Sequence, residues 1–263
     1  MPELHDRLAQ QLFQAHERLD RFQPVLRDGK PLTPEQAYQV QDAFVALLSG
    51  SRNAAIAGYK IGVTSAAMQA SVGLTSPVCG VLFADQLRAT GAGMSAASYG
   101  RLGLEFEIAV RLSKDVPARP GVFPTIAEIA ECVDAVCPAI ELVDDRGADY
   151  AALDGGSLLA DNAWNAGVVL GPWHPAPAGL AQCKGRVLCN GSQAGSGLVG
   201  DASGHPFQSV AWIAEDLSHR GKVLRAGMIV MTGSITRTLF PAGDEQWSYS
   251  VEGLGAVEAH VEP

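Results

Sequence analysis

Four residues in this sequence have the types and spacing to do chemistry on a charged ligand: Glu105, Glu107, Glu141 and Lys60. The first two lie in Leu102–Leu112, LGLEFEIAVRL, which alternates as a β-strand does. Leu104, Phe106, Ile108, Val110 and Leu112 fall on one face, and Gly103, Glu105, Glu107, Ala109 and Arg111 on the other. Two carboxylates so placed stand side by side, about 6–7 Å apart along the strand. Like charges held this close repel unless a cation sits between them. A hard divalent ion would serve, because such ions prefer carboxylate oxygens. The alternative is a strand with one solvated face, on which Glu is ordinary. Glu141 stands alone in the apolar run Cys137–Val143, where solvation explains it less easily. A buried carboxylate needs a partner, and Lys60 or a metal would suit. Lys60 lies inside a short apolar strand, Gly58–Val63, and is costly to bury unless paired. The other outcome is a stem that carries its ammonium out to solvent.

The elements that must position these groups can be read from the same pattern. An amphipathic helix is expected over residues 3–23, closed by Pro24, with Leu4, Leu8, Leu12, Leu19 and Phe22 on one side. A second helix starts at Thr33, with Pro34 at its first position and Gln36 in the capping-box place. Both read as packing elements. A short helix follows over Thr64–Val72 with Ser65 as its cap, then a strand over Gly80–Ala84 ending at Asp85. Residues 91–99 read as a Gly/Ser/Ala loop, and Thr125 opens a helix expected to reach Val133. Asp161-Asn162-Ala163 precedes an apolar strand, Gly167–Leu170. Asn190-Gly191 is a hairpin turn signal. His205-Pro206 opens a helix to about His219 that Gly221 ends, and Met228–Met231 is a strand running into Thr232-Gly233-Ser234.

The bulk numbers narrow the function classes. With 263 residues, 47% hydrophobic and 18% charged, the chain has the profile of a packed globular protein. A net charge of −9 without a dense Lys/Arg cluster argues against a nucleic-acid-binding surface. The five cysteines form no C-x-x-C pair, so neither a disulfide framework nor a zinc site is suggested, which fits a reducing cytoplasm. The polar start, MPELHDRLAQ, predicts no secretory signal, and no apolar run approaches a membrane span.

Taken together, the segments GYKIGVTS (58–65), GVLFAD (80–85), EFEIA (105–109), PAIELVDDR (138–146), ADNAWNAGVVLG (160–171), GHP (204–206) and LRAGMIVMTGSIT (224–236) resemble the fumarylacetoacetate hydrolase superfamily. The resemblance is to its branch of 2-keto-4-pentenoate hydratases and 4-oxalocrotonate decarboxylases, and runs from about residue 35 to the end. It implies an α+β fold, a mixed and strongly bent β-roll with surrounding helices. A helical amino-terminal segment (1–55) would precede a metal-binding catalytic domain (56–263). It implies that Glu105, Glu107 and Glu141 hold one divalent ion, Mg²⁺ or Mn²⁺, and that Lys60 is the active-site lysine. Asp161 and Asn162 would border the substrate, Thr232 and Ser234 would lie near its carboxylate, and Val63 would contact it.

The implied substrate is a small unsaturated 2-oxo acid of aromatic meta-cleavage catabolism, and the reaction hydration. Decarboxylation of a 2-oxo-3-enedioate, or C–C hydrolysis of an acylpyruvate, could use the same metal site. Members are homo-oligomers, and hydratase and decarboxylase can associate as pathway partners, so a non-catalytic stabilising subunit is a further reading. Many hydratases of this group have an Asp where this chain has Val78, which raises decarboxylation; Asp85 is a possible substitute acid. Cys79 reads as a packed thiol and His205 as structural, while Arg146 and Arg237 are each candidates to bind a second carboxylate.

Overall fold

The computed structural model describes residues 3–263. Two sheets carry the architecture. A seven-stranded sheet runs in the order Val78–Phe83, Ile56–Gly62, Ile229–Met231, Leu102–Leu112, Val133–Asp144, Asn165–Leu170, Leu87–Ala89. It is mixed: Ile229–Met231 lies parallel to Ile56–Gly62, Leu87–Ala89 lies parallel to Asn165–Leu170, and the remaining pairs are antiparallel. A five-stranded sheet runs Ser192–Leu198, Lys184–Cys189, Glu245–Val251, Gly255–Glu262, Ala92–Ser95. The chain is an α+β protein whose curled, roll-like sheet is flanked by helices and preceded by a helical amino-terminal segment.

Alternation in Leu102–Leu112 decides what faces what. Leu104 and Phe106 are fully buried and Ile108 is nearly so. Phe106 meets Trp247 and Tyr249 of the second sheet at ring-centroid distances of 5.9 and 5.7 Å. That apolar face makes the core between the sheets. The opposite face, with Glu105 and Glu107, is left to line the interior of the roll.

Capping follows the sequence closely at several sites. Thr33 caps Pro34–Arg52 in a reciprocal box with Gln36, Ser65 caps Ala66–Ser71, and the His205 ring accepts from the Phe207 N–H to cap Pro206–His219. Asn190 and Gly191, at φ 49° and 77°, form the expected tight hairpin between Lys184–Cys189 and Ser192–Leu198.

The structure departs from expectation at three points. The first helix covers Leu4–Glu17 and does not reach residue 23. Leu19 turns the chain at φ 52°, so that the Phe22 N–H donates to the Arg146 carbonyl (2.9 Å) and its ring meets Trp164 edge-on at 5.3 Å. Those tertiary contacts outweigh helix continuation. The helix opened by Thr125 stops at Ala130, because Val133 is already paired with Leu112. The 91–99 stretch contains a strand, Ala92–Ser95, whose parallel pairing with Gly255–Glu262 no local pattern announces.

Candidate active site

Strand register assembles the carboxylates. Glu105 lies directly opposite Glu141 on the neighbouring antiparallel strand, and Glu107 follows two residues on, opposite Ala139. Directly opposite residues have Cβ atoms about 5 Å apart. One carboxylate oxygen from each of the three falls within 4.8 Å of the others. Glu107 and Glu141 are fully buried and Glu105 partly so.

Each carboxylate is oriented by one neutral donor. The Gly233 N–H donates to Glu107 Oε2 at 2.8 Å, Asn165 Nδ2 to Glu141 Oε1 at 2.9 Å, and the Thr238 hydroxyl to Glu105 Oε1 at 2.5 Å. Lys60 Nζ reaches Glu141 Oε1 at 3.3 Å from the strand on the far side of Ile229–Met231. Its stem fits because position 80, paired with it across the strands, is glycine. A Cβ there would stand 3.1 Å from the Lys60 methylenes and 2.8 Å from the Asn162 carbonyl.

Glu107 Oε1 and Glu141 Oε2 are buried and have no hydrogen-bond partner among the described residues. Three ionised carboxylates against one ammonium would leave an excess of two negative charges in a largely buried place. The titration behaviour follows. Burial raises Glu107 well above the ordinary carboxylate range, and Glu141 and Glu105 raise it further. Burial likewise raises Glu141, to about 7, although Lys60 pulls the other way. Burial works against the charge on Lys60, but Glu141, Glu105 and Glu107 outweigh it and hold the ammonium above its usual range. Orphaned hard oxygens and an uncompensated double negative charge match a divalent cation of the Mg²⁺ or Mn²⁺ kind.

Of these groups Lys60 and Glu105 open onto a cavity of about 460 Å³, while Glu107 and Glu141 are not in its wall. Val72, Val78, Val143 and Leu158 are among the apolar side chains that line it. Val63 also lines it, with φ 56°. A β-branched residue in the left-handed region is strained, and such strain gathers at functional sites. Ser234 lines the cavity and accepts from the Phe106 N–H at 3.0 Å.

The remaining expected site residues lie elsewhere. Asp85 is exposed on the turn Ala84–Gln86 and is not in the cavity wall. Asp161 is fully buried and outside the cavity wall, bound by Arg146 Nη2 at 2.8 Å and the His16 ring at 2.6 Å. Asn162 clamps the Val81 backbone at both N–H and C=O, 2.7 and 2.9 Å. The buried Thr232 hydroxyl donates to the Ile108 carbonyl. Arg146 is committed to Asp161, so of the two arginine candidates only Arg237 lines the cavity. Cys79 is buried and its thiol pushed up to about 12 by burial, the state of a packed thiol. Asn165, Trp164, Tyr150 and Thr238 were not singled out by the sequence pattern, though Trp164 and Asn165 sit within the 160–171 segment.

The comparisons with known proteins agree with this geometry. Residues 52–262 match the family described as Fumarylacetoacetate (FAA) hydrolase C-terminal. The chain is 32% identical over 250 residues to a 2-hydroxyhexa-2,4-dienoate hydratase of Comamonas testosteroni, covering 94% of this chain and 93% of that protein. It is 33% identical over 263 residues to a 2-oxo-hept-4-ene-1,7-dioate hydratase of Escherichia coli, covering 96% of each. The structure of 4-oxalocrotonate decarboxylase from Pseudomonas putida G7, complexed with magnesium and adipate, superposes with a TM-score of 0.90 at 27% identity, over 98% of this chain and 97% of that one. The chain therefore belongs to the fumarylacetoacetate hydrolase superfamily, in its 2-keto-4-pentenoate hydratase and 4-oxalocrotonate decarboxylase branch.

Proposed function

We propose that this chain is a Mg²⁺- or Mn²⁺-dependent hydro-lyase that adds water to a small unsaturated 2-oxo acid, 2-hydroxypenta-2,4-dienoate or a relative of it, in aromatic catabolism. One observation carries the reading: the orphaned carboxylate oxygens of Glu107 and Glu141 converge with Glu105 beside Lys60, and Glu105 and Lys60 line a largely apolar cavity. Glu105, Glu107 and Glu141 would hold the cation, which when bound supplies a Lewis acid for the 2-oxo carbonyl. Lys60 keeps a proton on the cavity wall. There its ammonium opposes negative charge on an enolate and can return a proton to carbon. Gly233, Asn165 and Thr238 each fix one carboxylate, so the donor set does not have to reorganise. Val72, Val78 and Leu158 exclude bulk water and align an apolar carbon chain. Hydration then amounts to ketonisation of the dienol and addition of water across the conjugated double bond.

A second reading, decarboxylation of a 2-oxo-3-enedioate, is favoured by Val78. It lines the cavity where an acid could assist water, and Asp85 lies outside the wall. Loss of CO₂ needs only the electron sink and a proton donor, both of which the site offers. C–C hydrolysis would want a dedicated base for water, and no histidine among the described residues lines the wall. The experiment is a product assay with Mg²⁺ on 2-hydroxypenta-2,4-dienoate and, separately, 2-oxo-3-hexenedioate, following ultraviolet absorbance and CO₂ together. Consumption of the first without CO₂ supports the hydro-lyase. CO₂ from the second, with no turnover of the first, would replace it by the decarboxylase.

A further inference from the structure

Trp164 is an expensive residue that the chemistry above does not use. Its indole is 6% exposed and lines the cavity, and its Nε1–H meets no acceptor among the described residues. Indole N–H is a donor only, and leaving it buried and unpaired costs stability. The backbone that aims it is strained as well. Asn162, Ala163 and Trp164 are three successive left-handed residues, at φ 52°, 48° and 59°. Asparagine tolerates that region; alanine and tryptophan do not. Two contacts hold the turn in place: the Asn162 clamp on Val81, and the edge-on packing of the Trp164 ring against Phe22 and Tyr150 at 5.3 and 5.8 Å.

Strand register places this donor relative to the carboxylates. Glu105 faces Glu141 across the strands, and the next pair on the same faces is Gly103 with Val143. Asn165, adjacent to Trp164, pairs with Val143 on one side. On the other side Thr238, adjacent to Arg237, lies against Gly103, where a Cβ would come within 2.6 Å of its methyl. Trp164 and Arg237 are therefore each next in sequence to a residue that stands one two-residue step, roughly 6–7 Å, beyond the Glu105–Glu141 pair, and both line the cavity. Burial falls in the same direction, from the sealed Lys60, Glu107 and Glu141 to the exposed Arg237 and half-exposed Tyr150. Arg237 and Lys60 are the two cations in the cavity wall. Lys60 is held by Glu141, whereas Arg237 has no ion pair among the described residues.

We infer that the outer end of the cavity reads a second carboxylate: Trp164 Nε1–H and the Arg237 guanidinium receive it, so that among the unsaturated 2-oxo acids proposed above the preferred substrate is a dicarboxylate relative of 2-hydroxypenta-2,4-dienoate and not that monocarboxylate itself. The inference rests on the metal-centred site proposed above, which would take the 2-oxo acid end. The second carboxylate would supply the acceptor that the buried indole lacks and the anion that the free guanidinium lacks.

The test compares two saturated, unreactive probes of equal length, 2-oxoadipate and 2-oxohexanoate, titrated calorimetrically into the Mg²⁺-loaded protein. They differ only in a terminal carboxylate against a methyl group. The preference for 2-oxoadipate is expected to be at least about tenfold, the size of a charge-assisted hydrogen bond. Trp164→Phe and Arg237→Gln should each erode it by weakening 2-oxoadipate alone. In a ¹H–¹⁵N spectrum one of the four indole N–H signals should move with 2-oxoadipate and stay put with 2-oxohexanoate. That readout needs no variant, so it stands if Trp164→Phe fails to fold. Equal affinity for the two probes, or a preference that survives both substitutions, overturns the second-carboxylate site and leaves the metal site intact. Failure of both probes to bind overturns the metal-centred reading, and the inference falls with it.

Discussion

The roll buries two clusters of charge, and they are built on opposite terms. In one, Asp161 lies between Arg146 and His16. Asp144 accepts the N–H groups of Gly100, Arg101 and Arg146. Asp145 takes the Arg101 guanidinium, the Gly147 N–H and the Tyr150 hydroxyl. No oxygen of these aspartates is left over. Burial works against the charge on Asp161, yet His16 and Arg146 outweigh it and hold the carboxyl below its ordinary range. In the other cluster, Glu105, Glu107 and Glu141 have one lysine between them, two oxygens go unpartnered, and burial drives Glu107 and Glu141 up. A closed account marks a strut, here tying the amino-terminal helix to the roll. An open one marks a place for a ligand.

The comparison can be broken by substitution. Glu107→Gln keeps the shape of the side chain but removes a charge from the open cluster. It should abolish metal binding and turnover while circular dichroism and Tm stay near those of the parent. Lys60→Ala should still bind metal and lose about 10²–10⁴ in kcat, the usual worth of a positioned proton-transfer group. An unchanged rate would make Lys60 a strut as well. Arg146→Ala, in the closed cluster, should do the reverse. It strands Asp161 and costs about 3–5 kcal/mol of stability by denaturant unfolding, with metal affinity in the surviving folded protein unaltered. Asn165→Ala removes the donor that orients Glu141 and should weaken metal binding about 10–100-fold.

The two clusters also differ in pH response. Glu107 and Glu141 have raised values in the folded state, so the stability they contribute is present in the protonated form at low pH. It is lost as pH climbs from the ordinary carboxylate range toward about 7 for Glu141. The Tm of metal-free protein should therefore fall by several degrees between pH 5 and 8. With saturating Mg²⁺ the trend should reverse, because binding requires the deprotonated acids. Parallel curves with and without metal would show that the cation binds elsewhere.

The open cluster was legible in part from periodicity, and it took the family resemblance to join its three carboxylates and Lys60 into one site. Alternation in LGLEFEIAVRL put Glu105 and Glu107 on one face, and a lone Glu141 in an apolar strand marked a buried acid. The closed cluster was not legible, for a physical reason: no periodic pattern marks its pairings, which run through loops and the amino-terminal helix. Asp161 looked like a site residue in a motif beside an apolar strand, but its partner His16 lies 145 residues away on a helix whose face reads only as packing. The same limit hid Thr238, which reaches Glu105 across 133 positions, and the left-handed turn that aims Trp164. Val63 lines the cavity, whereas Asp85 is exposed on a turn and Asn162 and Thr232 hydrogen-bond to backbone. Nothing local in their sequence separates a hydrogen bond to backbone from one to a ligand.

The central claim is that unpaired buried carboxylates, and not buried carboxylates as such, hold the cation. Isothermal titration of Mn²⁺ into three metal-free proteins tests it most directly: the parent, Glu107→Gln and Asp161→Asn. The account predicts one equivalent bound by the parent and by Asp161→Asn, with comparable affinity, and none by Glu107→Gln. Retained stoichiometric binding in Glu107→Gln, or its loss in a folded Asp161→Asn, would contradict it.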